Sequence, residues 1–159
     1  MFATLMVSPT LAQDYFFKDK APFDSNIPTP EEFLGYPIGK QHTRHDQIVA
    51  YFYKLAEVSN RAKIEVYGYT HERRKLVMLH VSTPENLNNL ESIKSEHLKF
   101  VDPNQTPTNY NDVPVFIQLG YNVHGNEPSS SEDALLTAYT LVSSNNPELT
   151  NYLNNNDIF

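Results

Sequence analysis

The chain has 159 residues, of which 40% are hydrophobic and 12% aromatic, which is enough to fill the core of one domain and argues against disorder. Its formal net charge of -7 comes without a cluster of Lys or Arg, which argues against nucleic acid as a partner. Because cysteine is absent, disulfides and thiol nucleophiles are excluded, and any metal must be held by His and carboxylate side chains.

The N-terminal residues predict an exported protein. Residues 1–12 are apolar and small, polar sequence begins at Gln13, and Thr10 to Ala12 resembles a small-x-small cleavage site. No apolar run in the chain reaches the roughly 18 residues that a membrane-spanning helix needs. We therefore expect residues 1–13 to be the remnant of a secretory signal that lacks its basic leader, and the protein to be secreted or periplasmic.

Residues 14–42 predict an extended N-terminal arm on the surface of the domain. Four prolines lie in this segment among several aromatic residues, and this density of proline interrupts regular structure. One helical turn is expected at Pro30–Phe33, because proline is tolerated in the first turn of a helix. The aromatic side chains of the arm are expected to pack on the core.

The next segment carries the patterns of a helix and a strand pair. Thr43 is placed to cap a helix whose apolar residues recur at helical spacing, namely Ile48, Val49, Phe52, Leu55 and Ala56. Lys63–Tyr69 and Lys75–Val81 flank the polar turn Thr70–Arg74, which predicts an antiparallel hairpin. His80 lies in the second of these strands and is expected to pack in the core.

The remaining predicted elements are helices and strands that alternate along the chain, as in an α/β domain. A helix is predicted from Thr83, with the buried stripe Leu87, Leu90, Ile93 and Leu98, and a surface loop is predicted for residues 102–112. Val113–Leu119 is apolar without alternation, which is typical of a central strand covered on both faces. Helices from Ser129 and Pro147 and a last strand from Asn156 follow. We expect a mixed sheet with helices on both faces.

His124 and Glu127 are the candidate metal ligands. His124 follows a predicted strand and Glu127 begins the next helix, so both side chains can reach one point beyond the sheet edge. Imidazole nitrogen and carboxylate oxygen bind zinc, and a catalytic zinc site takes a third protein ligand and water. Gly120 and Gly125 flank the site and permit tight turns of the backbone. By spacing alone, the pattern also fits a solvated loop histidine and a glutamate stabilised by the helix dipole.

Other polar residues have simpler interpretations. His42 and His45 have metal-like spacing, but they open a helix, where capping and solvation are usual. Arg73 and Arg74 occupy the hairpin turn, where a charged surface is expected and contact with a substrate is the alternative. The run Ser129–Ser131 is expected to cap a helix and lacks the Gly-x-Ser-x-Gly pattern of serine hydrolases.

The segment Gly120–Ser130, with the apolar strand before it and the small-residue helix after it, resembles the first metal-binding segment of the carboxypeptidase A-like zinc carboxypeptidases. Val66–Val81 resembles the early hairpin of that family. The resemblance implies that residues 43–159 are the N-terminal part of a peptidase catalytic domain. It also implies that His124 and Glu127 are two ligands of a zinc cofactor, and that the substrates are peptide or protein C-termini.

The sequence departs from the family pattern beside the glutamate. Asn126 stands where the family carries a substrate-binding arginine, so Asn126 is a candidate for a weaker or altered substrate contact. The resemblance places the Asn-Pro-Asp-Gly-like segment, the third histidine ligand and the glutamate base beyond Phe159. No catalytic residue is therefore assigned within the chain, and we expect an inactive fragment whose sheet is incomplete at the C-terminus and prone to aggregation.

Two other functions stay open. The same His-Gly-Asn-Glu stretch fits deacylases similar to succinylglutamate desuccinylase and aspartoacylase, which cleave the amide of an N-acyl amino acid. The helix and hairpin ahead of the metal strand favour the peptidase. The second alternative is a non-catalytic binding module on the same fold. The side-chain preference and the oligomeric state are not determined by the sequence.

Overall fold

The computed structural model describes residues 12–107 and 109–159. The signal remnant was predicted for residues 1–13, and residues 1–11 of it lie outside the described residues. Within the described ranges, no helix has the length and apolar character that crossing a membrane requires. The α-helices are α1 (Ala12–Phe17), α2 (Pro30–Leu34), α3 (His45–Val58), α4 (Pro84–Asn88), α5 (Leu90–Val101), α6 (Pro128–Ser143) and α7 (Pro147–Asn154), with one 3-10 turn at Tyr110–Asp112.

In the part of the chain that the structure describes, four strands form one mixed sheet. They are β1 (Ala62–Tyr69), β2 (Lys75–Val81), β3 (Val115–Ile117) and β4 (Asn156–Ile158), in the order β1-β2-β4-β3. β1 and β2 form the predicted antiparallel hairpin, β4 is antiparallel to β2, and β3 is parallel to β4. The mixed α/β class predicted from the sequence is confirmed.

Among the strands that the described residues form, the one predicted to be central lies at an edge of the sheet. β3 covers only Val115–Ile117 of the predicted Val113–Leu119 and has β4 as its one neighbour among the described residues. Val115 is 52% exposed, so the segment is not buried along its whole length. An apolar run predicts that the faces of a strand are covered, and it does not determine how many strands flank it.

Helices cover both faces of the sheet. On one face, α3 and α6 build the core, in which Leu55 and Leu135 are fully buried against Leu79, Val81 and Ile158. Each fully buried leucine contributes about 1.5–3 kcal/mol relative to exposure. On the other face, α5 brings the His97 ring to 4.9 Å from the Phe116 ring of β3.

The helix predicted from Thr83 is divided in two. Asn89, at φ -107° and ψ 12°, separates α4 from α5, so the apolar stripe does not run continuously from one to the other. Leu87, Leu90 and Ile93 are buried as predicted, but Leu98 is 59% exposed. The half-buried His97, seven residues after Leu90, continues the stripe instead.

The N-terminal arm contributes to the core. The Phe17 and Phe23 rings both lie 5.4 Å from the Tyr139 ring of α6, and Ile27 is 4% exposed. The helical turn predicted at Pro30–Phe33 is present as α2, and Phe33 packs against Tyr51 of α3. Phe17, Phe23 and Phe33 pack on the core as expected, whereas Tyr15 is 86% exposed and does not.

Candidate metal centre

The loop after β3 carries the candidate ligands. The β3–β4 ladder ends where the Leu119 N–H donates to the Phe159 carbonyl at 2.6 Å, and the chain then leaves the sheet. The Gly125 N–H donates to the Asn122 carbonyl at 2.9 Å, which closes a tight turn around the site. Gly125 has φ 69°, a conformation that glycine adopts without strain, whereas Gly120 needs no positive φ.

The structure brings the two candidate ligand side chains together. His124 Nδ1 lies 2.9 Å from Glu127 Oε1, so the ring N–H donates a hydrogen bond to the carboxylate. The side chains are 75% and 57% exposed. The turn at Gly125 reverses the chain between them, which is why residues three apart meet at one point. The pair is accessible to an ion from solvent.

The donor set fits two positions of a zinc site. One imidazole nitrogen and one carboxylate oxygen converge, and both atom types are zinc ligands. Across residues 12–107 and 109–159, no group of three or more His, Cys, Asp or Glu comes together to hold a metal. A catalytic zinc site takes three protein ligands, and the described residues bring two candidate donors together here, His124 and Glu127.

A hydroxyl from α6 supports the loop, and sequence reasoning missed it. The Asn122 N–H donates to Ser130 Oγ at 2.6 Å, and Asn122 itself has φ 57°. The predicted capping by Ser129–Ser131 is wrong, because Glu127 occupies the N-cap position of α6. Ser130 instead ties the loop to the first turn of the helix. Asn126 is exposed, and its N–H donates to the His124 carbonyl at 2.8 Å.

A buried carboxylate joins α6 to the start of α3. Glu132, 7% exposed, accepts the Thr43 N–H at 2.9 Å and the Thr43 hydroxyl at 3.1 Å. The predicted Thr43 cap is therefore wrong, since Arg44 is the N-cap of α3. One signal in the sequence pointed to Glu132: it precedes the buried Leu135 by three residues and so lies on the inner face of α6.

His80 is packed in the sheet, as predicted, and has a partner that sequence reasoning missed. His80 Nδ1 lies 2.9 Å from Oδ2 of Asp157, which is fully buried in β4. His80 Nε2 lies 3.7 Å from Glu65 Oε2 on the neighbouring strand. His80 and Asp157 therefore form a buried polar pair, and the exposed Glu65 carboxylate lies beside it.

A cavity of about 520 Å³ opens beside the loop. Its walls come from α3, β2 and α6 and from residues 118–122, and Gly125 lines it. Arg74 also lines it, but its guanidinium pairs with Glu72 at 2.8 Å. His42 lies at the same cavity, and His45 Nε2 hydrogen-bonds the Lys75 carbonyl at 3.2 Å. Both histidines are exposed and lie at or just before the start of α3, as expected.

A family model described as zinc carboxypeptidase matches residues 48–159, more than half of the chain. The match includes β1 to β4 and the loop that carries His124 and Glu127. Neither the search of curated proteins nor the search of solved structures gave a match. On the extent of the family match, the chain belongs to the zinc carboxypeptidase family.

Proposed function

We propose that His124 and Glu127 are two zinc ligands of a metallocarboxypeptidase that hydrolyses C-terminal peptide bonds of peptides and proteins. The observation that carries the proposal is the convergence of His124 Nδ1 and Glu127 Oε1 at 2.9 Å, in a chain of the zinc carboxypeptidase family. Both side chains lie beyond the carboxyl end of β3, where α/β sheets commonly bind ligands.

The residues of this chain would bind and orient the metal. Bound zinc supplies a Lewis acid at the scissile carbonyl. Gly125 reverses the chain so that both ligands face one point, and Ser130 fixes the loop to α6. Asn126, between the ligands, offers a neutral amide for hydrogen bonding to substrate, which binds a carboxylate less strongly than a charged group does. We assign no general base within the chain and expect the 159 residues alone to be inactive.

Zinc titration of the purified chain tests the ligand assignment. We expect Zn²⁺ to shift the NMR signals of residues 122–130, and His124→Ala and Glu127→Gln each to weaken binding at least about tenfold, because each removes one of two donors. The matched control is His71→Ala, which removes an exposed histidine from the hairpin turn. Zinc affinity that is unchanged in His124→Ala, or that falls equally in His71→Ala, would contradict the assignment.

A further inference from the structure

Asn122 lies two residues before His124, and its backbone has the left-handed conformation, with φ 57°. Residues with a Cβ atom adopt this conformation at a cost in free energy, because Cβ comes close to the carbonyl oxygen that follows it. Asparagine tolerates the conformation better than most residues do, whereas a β-branched residue very rarely adopts it. The backbone at this position therefore restricts which residue can stand there.

Both backbone hydrogen-bonding groups of Asn122 have partners. Its N–H donates to Ser130 Oγ at 2.6 Å, and its carbonyl accepts the Gly125 N–H at 2.9 Å. Ser130 belongs to α6, whose next residue, Ser131, is 2% exposed. Asn122 therefore connects the turn that contains His124 to a helix that is fixed in the core.

The side-chain oxygen of Asn122 adds no hydrogen bond to the loop. Oδ1 is buried and has no hydrogen-bond partner among the described residues. Glycine adopts a positive φ without strain, so glycine at this position would keep the backbone conformation and remove no hydrogen bond made by this oxygen. The conformation that asparagine permits, and not a contact of its oxygen, accounts for its place in the loop.

The segment that holds the two candidate ligands is short and is tied to α6 at both ends. Asn122 is bonded to Ser130 at one end, and Glu127 is the N-cap residue of α6 at the other. Rotation about φ of Asn122 changes the direction of the chain toward His124, while α6 keeps Glu127 in place. The distance of 2.9 Å between His124 Nδ1 and Glu127 Oε1 therefore depends on the conformation of Asn122.

We propose that Asn122 is a positioning residue for the metal site. Its left-handed backbone conformation, held by Ser130, keeps the His124 and Glu127 side chains together before a metal binds. The apparent affinity for a ligand falls in proportion to the fraction of molecules in the binding-competent conformation, and Asn122 raises that fraction without touching the metal. This inference rests on the proposed function, in which the two side chains are zinc ligands.

Two substitutions at Asn122 separate its backbone conformation from its side chain. Asn122→Gly permits the positive φ, whereas Asn122→Val opposes it. We expect the affinity for Zn²⁺, measured by isothermal titration calorimetry, to stay within about twofold in Asn122→Gly and to fall at least about fivefold in Asn122→Val. Equal losses in both variants would overturn the proposal, because the side chain itself would then be the source of the effect.

Arg73→Val is the matched control. Arg73 also has a positive φ, 66°, but lies in the turn between β1 and β2, so this variant places the same side chain in the same backbone conformation outside the metal loop. We expect it to lower the thermal stability of the chain without changing the affinity for Zn²⁺. If Arg73→Val and Asn122→Val weaken zinc binding equally, general destabilisation explains both results and the proposal is wrong.

The zinc-free chain tests the positioning without the metal. We expect nuclear Overhauser contacts between the His124 ring and the Glu127 side chain in the wild type and in Asn122→Gly, and their loss in Asn122→Val. Ser130→Ala removes the acceptor of the Asn122 N–H and should weaken these contacts, while Ser129→Ala, at the exposed neighbour, should leave them unchanged. Absence of zinc binding by the wild type would contradict the ligand assignment alone. Contacts that persist in Asn122→Val would overturn the positioning role.

Discussion

At the scale of single residues, the Glu132 carboxylate connects α6 to the segment just before α3. It accepts two hydrogen bonds from Thr43, and both residues are buried. A hydrogen bond to a charged group contributes about 1.5–3 kcal/mol, and loss of the acceptor leaves a buried N–H without a partner.

We expect Glu132→Ala to lower the free energy of unfolding by about 2–3 kcal/mol, measured by urea denaturation. The control is Asp133→Ala, the exposed neighbour on the same helix, which we expect to change stability by less than about 0.5 kcal/mol. Equal losses in the two variants would show that the contacts to Thr43 add nothing to stability.

His80 and Asp157 form the second residue-scale pair. Asp157 is fully buried and accepts from His80 Nδ1, while its other oxygen, Oδ1, has no hydrogen-bond partner among the described residues. We expect Asp157→Ala to destabilise the fold by about 2–3 kcal/mol, because it leaves the buried imidazole without its acceptor.

A double-mutant cycle with His80→Leu separates this contact from general packing effects. We expect a coupling energy above about 1 kcal/mol between the two sites, measured by urea denaturation. Glu65→Gln is the control: its carboxylate is 62% exposed and 3.7 Å from the ring, so its effect should be below about 1 kcal/mol. Additive effects of Asp157→Ala and His80→Leu would contradict the interaction.

At the scale of elements, α2 is held by a capping box. The Glu32 N–H donates to Thr29 Oγ1 at 3.2 Å, and the Glu32 carboxylate accepts the Thr29 N–H at 2.8 Å. The backbone hydrogen bond from Thr29, assisted by its hydroxyl, lowers the pKa of Glu32 below its usual 4.5. The folded state therefore favours the ionised carboxylate.

This pKa shift predicts a pH dependence. A carboxyl group with a lower pKa in the folded state stabilises the fold above its unfolded pKa, and the contribution is lost as pH falls through the folded pKa. We expect wild-type stability to fall more steeply than that of Glu32→Gln between about pH 5 and about pH 3. Urea denaturation across this range is the measurement, and identical slopes would contradict the prediction.

At the scale of the whole molecule, the two edges of the sheet differ. The β1 edge carries the charged Lys63 and Glu65 and an irregular pairing between Val66 and Gly68, features that discourage association. The β3 edge is short and apolar, with Val115 52% exposed. For the 159-residue chain by itself, we therefore expect self-association through β3.

We expect Val115→Lys to reduce self-association, because a lysine on an edge strand opposes pairing with another copy. Sedimentation velocity at several protein concentrations measures the effect. The matched control is Val101→Lys at the end of α5, which removes a valine that is 78% exposed but lies away from the edge. If both substitutions reduce association equally, general hydrophobicity and not strand pairing is responsible.

Features that depend on neighbouring residues could be predicted from the residue types. The hairpin at Lys63–Val81 follows from strand alternation around a polar turn, and it is present as β1 and β2. The contact of His124 with Glu127 follows from two residues three apart across a glycine turn. The relative positions of residues so close in sequence depend on the local backbone conformation, and the residue types predict that conformation.

Contacts between distant segments could not be predicted in this way and are seen only in the folded chain. Glu132 meets Thr43 across 89 residues and Asp157 meets His80 across 77, and no local pattern pairs them. The place of β3 at the edge depends on which strand packs beside it, so an apolar run could not determine it. Such contacts form because whole elements bury their apolar faces together, and the polar partners are then brought into place by that packing.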